Sequence, residues 1–512
     1  MSSGGVTAQS VGSITFIDSS IINTPIGIVT AHNAASQPPA GGSLILENVA
    51  LSNVPVAVQG PGGVTALTGT TGSTTIAGWG EGHTYTPNGP NNVQGPITPN
   101  TRPGALLSGS NYYYRARPQY QNYPVSSIVS ARSSGAKGDG KTDDTAALQA
   151  AINSAASSGK ILFLDHGDYK VTSTLNIPPG SKIVGESYSV ILSSGSYFNN
   201  INVPQAVLKI GTTGQMGAVE LSDIIVSTQG PQAGAVLIQY NLDSGSSSPS
   251  GLWDVHTRIG GFAGSQLQLA QCPTTPNVLT PPAAVNSACI AASGSLHLTP
   301  RSSGFFALGS WLWVADHDVD DASLTQITIY AGRGLLDESA GPVWLVGTAV
   351  EHHTKYQYQF AGANDVFAGF IQTETAYYQP NPPAGIPFPL NASIHDPVFA
   401  TVTMATNLTA SNSSIPSQNG WGLRVVNSSN VLIYGAGHYS FFDNYNVTCS
   451  NQGGGEVCQN HIVDIESSTG VSIYNLNTVG THYMVDLNGV DEAFYADNLD
   501  GFVETVAIFR TG

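Results

Sequence analysis

Apolar residues in this chain come in short runs of 4–6, separated by Ser, Thr, Asn and Gly. "GSITFIDSSIINTPIGIVT" (12–30) and "GSLILENVALSNVPVAVQG" (42–60) share one grammar. Each has a small-residue start, an apolar strand, a turn, and two further short strands. The grammar returns in "MGAVELSDIIVSTQGPQAGAVLIQY", "WGLRVVNSSNVLIYGAGHY" and "HIVDIESSTGVSIYNLNTV". Units of roughly 20–30 residues that cannot bury an apolar face alone predict a stacked solenoid. Strands this short fit an all-β, right-handed parallel β-helix better than leucine-rich or helical repeats, with a β-sandwich as the alternative.

Residues 82–125 break the pattern. "GHTYTPNGPNNVQGPITPNTRPG" is rich in Pro, Asn and Gly without an apolar period, and so reads as a linker. "NYYYRARPQYQNYP" follows, with tyrosines and arginines suited to lying between two domains. The organisation expected is therefore C-terminal rungs of a first β-helix at 1–81, an inter-domain linker at 82–125, and a second, complete β-helix at 126–512 packed beside the first. One amphipathic helix is predicted over 143–157, with Asp143 and Asp144 at its N-terminus, where carboxylates suit the exposed amides and the dipole.

Composition narrows the class. Only 10% of residues are charged and 58 are Gly, and 33 acidic against 16 basic residues give a net charge of −17. Such a surface repels nucleic acid and anionic membranes, so neither is a partner. Cys272 with Cys289 and Cys449 with Cys458 lie 17 and 9 residues apart, spacings suited to two local disulfides. No Cys/His cluster has zinc spacing, and no metal or cofactor is expected. Five N-x-S/T sequons, at Asn391, Asn407, Asn412, Asn427 and Asn446, crowd a Ser/Asn-rich stretch and suggest a secreted glycoprotein. Yet "MSSGGVTAQS" shows no signal peptide, and no segment reads as a transmembrane span.

"GAKGDGKT" (135–142) imitates a phosphate-binding loop. Asp139, Asp143 and Asp144 oppose an anion there, and no β-α alternation follows. The longer stretch "GAKGDGKTDDTAALQ" (135–149) instead resembles the N-terminal cap of the pectate-lyase-like β-helices, where a short helix closes the open solenoid end. Three later segments, "WLWVADHDVDD" (311–321), "VEHHTKYQYQF" (350–360) and "FIQTETAYYQPNP" (370–382), look like glycoside hydrolase family 55, the exo-β-1,3-glucanases. That resemblance covers essentially the whole chain. It implies two β-helices side by side, an active site in the crevice between them, and release of glucose from the non-reducing end of β-1,3-glucan with inversion, by a monomer.

Glu351 and Glu374 lie 23 residues apart, about one coil, so they are expected at equivalent places on successive rungs, roughly 5 Å from each other. Carboxylates that close disfavour double ionisation, and a general acid needs the raised pKa that results. Two carboxylates on one wall reach the sugar from one side, which argues against an acid–nucleophile pair despite the short separation. The resemblance implies Glu374 as the acid and Glu351 in the water-side network. It places Trp311, Trp313, Asp316, Asp318 and Tyr377 at the glucose-binding end. His352 and His353 are adjacent strand residues that point to opposite faces and cannot easily share an ion. Polygalacturonase or lyase chemistry lacks its N-T-D or R-I-K segments and its basic residues here. A non-catalytic wall-binding protein is the rival reading.

The resemblance also implies a capping segment for each β-helix, and only one is visible. The expectation is therefore that Met1 is internal to a longer, secreted parent, that the wall orienting the attacking water lies outside these 512 residues, and that these residues expressed alone are nearly inactive on laminarin.

Overall fold

The computed structural model describes residues 12–33, 36, 38, 40–274, 285–399, 415, 418–450 and 455–512. Within them the chain is a right-handed parallel β-helix with a shorter stack of strands beside it. One wall of the main solenoid climbs through Lys182–Ser193, Glu220–Thr228 and Ser250–Ile259. It continues through the pairs Phe305–Leu308 with Trp311–Val314 and Val343–Val346 with Ala349–Glu351, then Asn364–Glu374, Ser429–Tyr439 and Ser472–Val479. A second wall runs from Leu175–Ile177 through Ile290–Leu298, Tyr330–Asp337, Tyr356–Ala361 and Trp421–Val426 to Thr481–Leu487. Inward residues such as Leu221, Leu252, Leu312, Val350, Ile371 and Leu476 fill the core between the walls.

The helix forms at Thr145–Ser157, with Leu148, Ala151, Ile152 and Ala155 buried over the solenoid end. Its acidic start differs in detail from expectation. Asp143 Oδ1 accepts from the Thr145 amide at 3.0 Å, but the Asp144 carboxylate turns away from the helix and accepts from the Lys137 and Gly138 amides. Asp139 accepts from the amides of Lys141 and Thr142. The amides that a phosphate would need are thus held by carboxylates, which closes the nucleotide reading physically.

Strands Ser13–Ile22, Ser43–Gln59 and Thr65–Tyr85 form the shorter stack. Pairing continues past residue 81, because Thr84 and Tyr85 lie beside Ile508 and Phe509 of the last strand. Asn91–Pro96, read from composition as linker, pairs antiparallel with Thr65–Tyr85. These partners are distant in sequence, so local Pro/Asn/Gly content could not reveal them. The next stretch straps the two stacks together. Tyr112 stacks on Phe367 at 4.2 Å, Trp344 Nε1 donates to the Leu106 carbonyl, and Trp253 Nε1 donates to that of Arg115. Glu47 of the shorter stack accepts from Arg102, Tyr434 and Tyr474.

Disulfides join Cys272 to Cys289 and Cys449 to Cys458, as the spacings predicted. Asn427 and Asn446 are exposed and Asn391 is half-buried, while Asn407 and Asn412 lie outside the described residues. No helix among the described residues is long and apolar enough to cross a membrane.

Candidate active site

Three neighbouring rungs build the site. Trp313 pairs with Glu351 and Glu351 with Glu374, while Trp311, Ala349 and Gln372 form the adjacent column. Side chains alternate along a strand, so Leu312, Val350 and Thr373 enter the core and the flanking residues point outward together. The two glutamates therefore occupy equivalent positions on successive rungs.

Glu351 is only 6% exposed, and Trp311 Nε1 donates to its Oε2 at 2.8 Å. Burial pushes its carboxyl up to about 7; His352 opposes the shift, while Glu374 adds to it. Glu374 is more open, with 20% of its side chain exposed. The Tyr377 hydroxyl donates to Glu374 Oε2 at 2.9 Å, and His352 Nε2 meets the same oxygen at 3.2 Å. Oε1 has only Gln372 Nε2, at 3.5 Å. Burial and the nearby carboxylates raise the Tyr377 phenol, which stays a neutral donor.

Asp316 joins from the turn after Trp311–Val314. It accepts from Trp313 Nε1 at 3.2 Å, and its other oxygen lies 3.0 Å from His317 Nδ1. Trp311, 42% exposed, stacks on buried Trp313 at 5.0 Å and presents an open ring face. Tyr377 lies 4.7 Å from the His352 ring and 3.9 Å from Phe442. Asp318 is arranged differently. Its buried carboxylate accepts from the Leu269 amide, Gln268 Nε2 and the Asp320 amide; burial would raise it, but these bonds hold it low. Its oxygens serve the 268–269 loop.

The adjacent histidines have opposite fates. His353 faces inward to Ser295 Oγ and Gln357, and burial drives it down to about 3. Burial would lower His352 too, but the hydrogen bond to Glu374 and the fields of Asp316, Glu374 and Glu351 outweigh it and push the ring up to about 9. Sequence reasoning weighed His352 only as a metal ligand, set that reading aside, and missed the residue as a cation among carboxylates, although it directly follows Glu351. Phe442 comes from a distant loop and gave no sequence signal.

Elsewhere, a groove of about 440 Å³ on the second wall shares no residue with this cluster. Two of its lining side chains are already paired, Arg333 with Asp396 and His297 with Glu338. His461, Asp486 and Asp491, also on that wall, are spaced closely enough to hold a cation, but His461 is tied to Asp491 at 2.7 Å.

The fold is a capped parallel β-helix of the pectate-lyase-like type. Residues 128–245 match the family described as "Rhamnogalacturonase A/epimerase, pectate lyase-like". The chain is 45% identical over 514 residues to "Glucan 1,3-beta-glucosidase" of Cochliobolus carbonum, covering 99% of this chain and 62% of that protein. It is 35% identical over 612 residues to "Probable glucan endo-1,3-beta-glucosidase" of Arthroderma benhamiae, covering 100% of this chain and 67% of that protein. A solved structure, sacteLam55A from Streptomyces sp. SirexAA-E, aligns at 16% identity with a TM-score of 0.48, over 97% of this chain and 71% of that one. The chain spans 62% and 67% of the length of these two relatives. It belongs to glycoside hydrolase family 55.

Proposed function

We propose that this protein hydrolyses β-1,3-glucan from the non-reducing end, releasing glucose with inversion, and that Glu374 is the general acid. The observation that carries this reading is the Glu374 carboxylate itself, open to solvent and held on Oε2 by Tyr377 and His352. With both donors on Oε2, Oε1 is the oxygen that carries the transferred proton. Protonating the glycosidic oxygen as the C1–O bond breaks removes the need to expel an alkoxide, the usual contribution of a general acid. Glu351 stands on the same side of the sugar as Glu374, so it tunes the acid; a nucleophile or base must approach the opposite face. Trp311 offers a π-surface for the C–H face of a glucose ring, Trp313 and Tyr377 flank it, and Asp316 accepts from hydroxyls. In this reading Asp318 supports the wall through its loop bonds. The similarity to the two named glucanases supports the substrate class, and the two disulfides suit action outside the cell.

The test is incubation of the full-length protein with laminarin, with polygalacturonate as control, following the product anomer by NMR from the first minutes. Initial α-glucose from laminarin alone is expected. Initial β-glucose would reject inversion, and cleavage of polygalacturonate would reject the substrate class. Laminarin binding without glucose release, by wild type and Glu374→Gln alike, would favour the non-catalytic binding reading.

A further inference from the structure

His352 ends the strand Ala349–Glu351 with φ +66°, a left-handed backbone that non-glycine residues adopt only when their surroundings enforce it. Two rungs supply the contacts that enforce it. The His352 amide donates to the Glu374 carbonyl at 2.9 Å, while the ring Nε2 reaches the Glu374 carboxylate. Nδ1 donates to the Val314 carbonyl at 2.9 Å and lies 3.6 Å from Asp316 Oδ1. One residue thus grips residue 374 by main chain and side chain together, and its ring is clamped from the rung behind.

We propose that His352 is the positioning residue of this site: it fixes the Glu374 carboxyl in one orientation, and its imidazolium governs how many protons the surrounding carboxylates hold. The proposal rests on the reading of Glu374 as the acid.

The titratable groups facing His352 come from every element around it. They are Asp316 after the rung behind, Glu351 on its own strand, Glu374 on the next rung, and Tyr377 after that; His353, beside it in sequence, faces the core and is neutral. Three carboxylates meeting without a cation would retain extra protons. A resident imidazolium leaves the set with fewer. It also supplies a donor to Oε2 that a neutral acceptor nitrogen would not. The ring's protonation is favoured in the folded state, so its contribution to stability is complete below about pH 6.5 and is lost as pH rises through about 9.

Two arms test this. In the first, His352→Gln and His352→Asn are assayed against pH on laminarin and on an aryl β-glucoside; Asn is included because it tolerates the left-handed backbone. The basic limb of the profile should move up by about one pH unit, the scale for losing an opposite charge at this distance. Turnover on laminarin should fall about tenfold or more, with a much smaller loss on the aryl glucoside, whose leaving group needs no proton. A basic limb that stays in place in whichever variant folds, with equal losses on both substrates, would overturn the proposal.

The second arm needs no activity. NMR of ring-labelled histidine, with His352 assigned by its absence from a variant, should show a ring still charged at pH 8 in the wild type. In Glu374→Gln its midpoint should drop by about one unit. A ring that titrates near 6.5 in both proteins would overturn the proposal whether or not glucan is the substrate. Failure of the glucanase reading alone would leave this arm intact and would appear as a wild type without glucose release.

Discussion

Two sets of buried charged groups sit on different walls of the solenoid and are composed oppositely. On the second wall, Asp396 is the shared anion between Arg333 and Lys355, with Arg333 Nε at 2.6 Å and Lys355 Nζ at 3.0 Å; the Asn391 amide adds a further bond. Burial would raise the Asp396 carboxyl, but the Arg333 hydrogen bonds and the two cations hold it low. On the first wall the ratio is reversed: Asp316, Glu351 and Glu374 surround the His352 imidazolium, and His317 meets only the far oxygen of Asp316. The first arrangement answers an anion with excess positive charge and ties the 389–396 loop to the sheet. The second leaves negative charge incompletely answered, and burial first, with Glu374 adding to it, favours a proton on Glu351. Balanced burial makes a joint; unbalanced burial makes a site that takes up and releases protons.

Breaking the joint should give the largest effect. Asp396→Ala leaves two cations in a buried place without their anion, and the loss of stability should be about 3–5 kcal/mol. Urea unfolding at pH 7 measures it. A loss below about 1 kcal/mol would mean that water or another acceptor reaches Arg333 and Lys355, and that the contrast with the first wall is false.

Breaking the site should leave stability alone. Glu374→Gln keeps the shape and the Tyr377 contact, and the weaker attraction to His352 is offset in part by relieved repulsion of Glu351, so the melting temperature should change little while turnover on laminarin falls at least about a hundredfold. On an aryl glucoside the loss should shrink. Equal losses on both substrates would remove Glu374 from the acid role.

Much of this contrast was legible in the sequence, for definite reasons. Coil length places Glu351 and Glu374 in register, because a solenoid converts sequence separation directly into spatial neighbourhood. The cap helix and both disulfides are likewise local. The protonation of His352 was not legible, since it depends on three carboxylates from separate rungs and on burial that no local window reports. Asp318 looked like a free acceptor because its donors come from residues 268 and 269, about fifty positions away. The strand at 91–96 looked like a linker because its pairing partner, not its own composition, makes it a strand.

The comparison sharpens at Glu351. Its carboxyl is raised in the folded state to about 7 from an ordinary value near 4.5. For a raised group, the favourable contribution is complete below the unfolded pKa and is lost as pH rises through the folded one. Glu351→Gln removes that loss and keeps an acceptor for Trp311 Nε1. The variant should match wild type in stability at pH 4 and exceed it by up to about 3 kcal/mol at pH 7, the linkage value of the raised carboxyl, in which the attraction to His352 is already counted. It should also turn over laminarin more slowly, with the basic limb of its profile displaced. Parallel stability curves from pH 4 to 7 would show that Glu351 is not the group holding the extra proton.

The smallest expected effect lies four residues before Glu374. The first wall bends at a column of left-handed residues, Asp223, Asp254, Gly309, Gly347, Phe370, Gly435 and Asn475, stacked by the pairs that flank them. Six of the seven are Gly, Asp or Asn, the types that accept this backbone most readily. Phe370 is the exception. Its ring is 82% exposed, a Cβ built on Gly347 would meet nothing within 4 Å, and one on Gly435 would come no closer than 3.8 Å to Phe370. The ring thus recovers little burial to offset a backbone costing about 1 kcal/mol. Phe370→Asn should therefore raise stability by about 1 kcal/mol, readable as a small upward shift in the urea midpoint at unchanged slope. A lowered midpoint would mean that the ring makes stabilising contacts in solution. The strain four residues before Glu374 would then be offset by contacts of the ring.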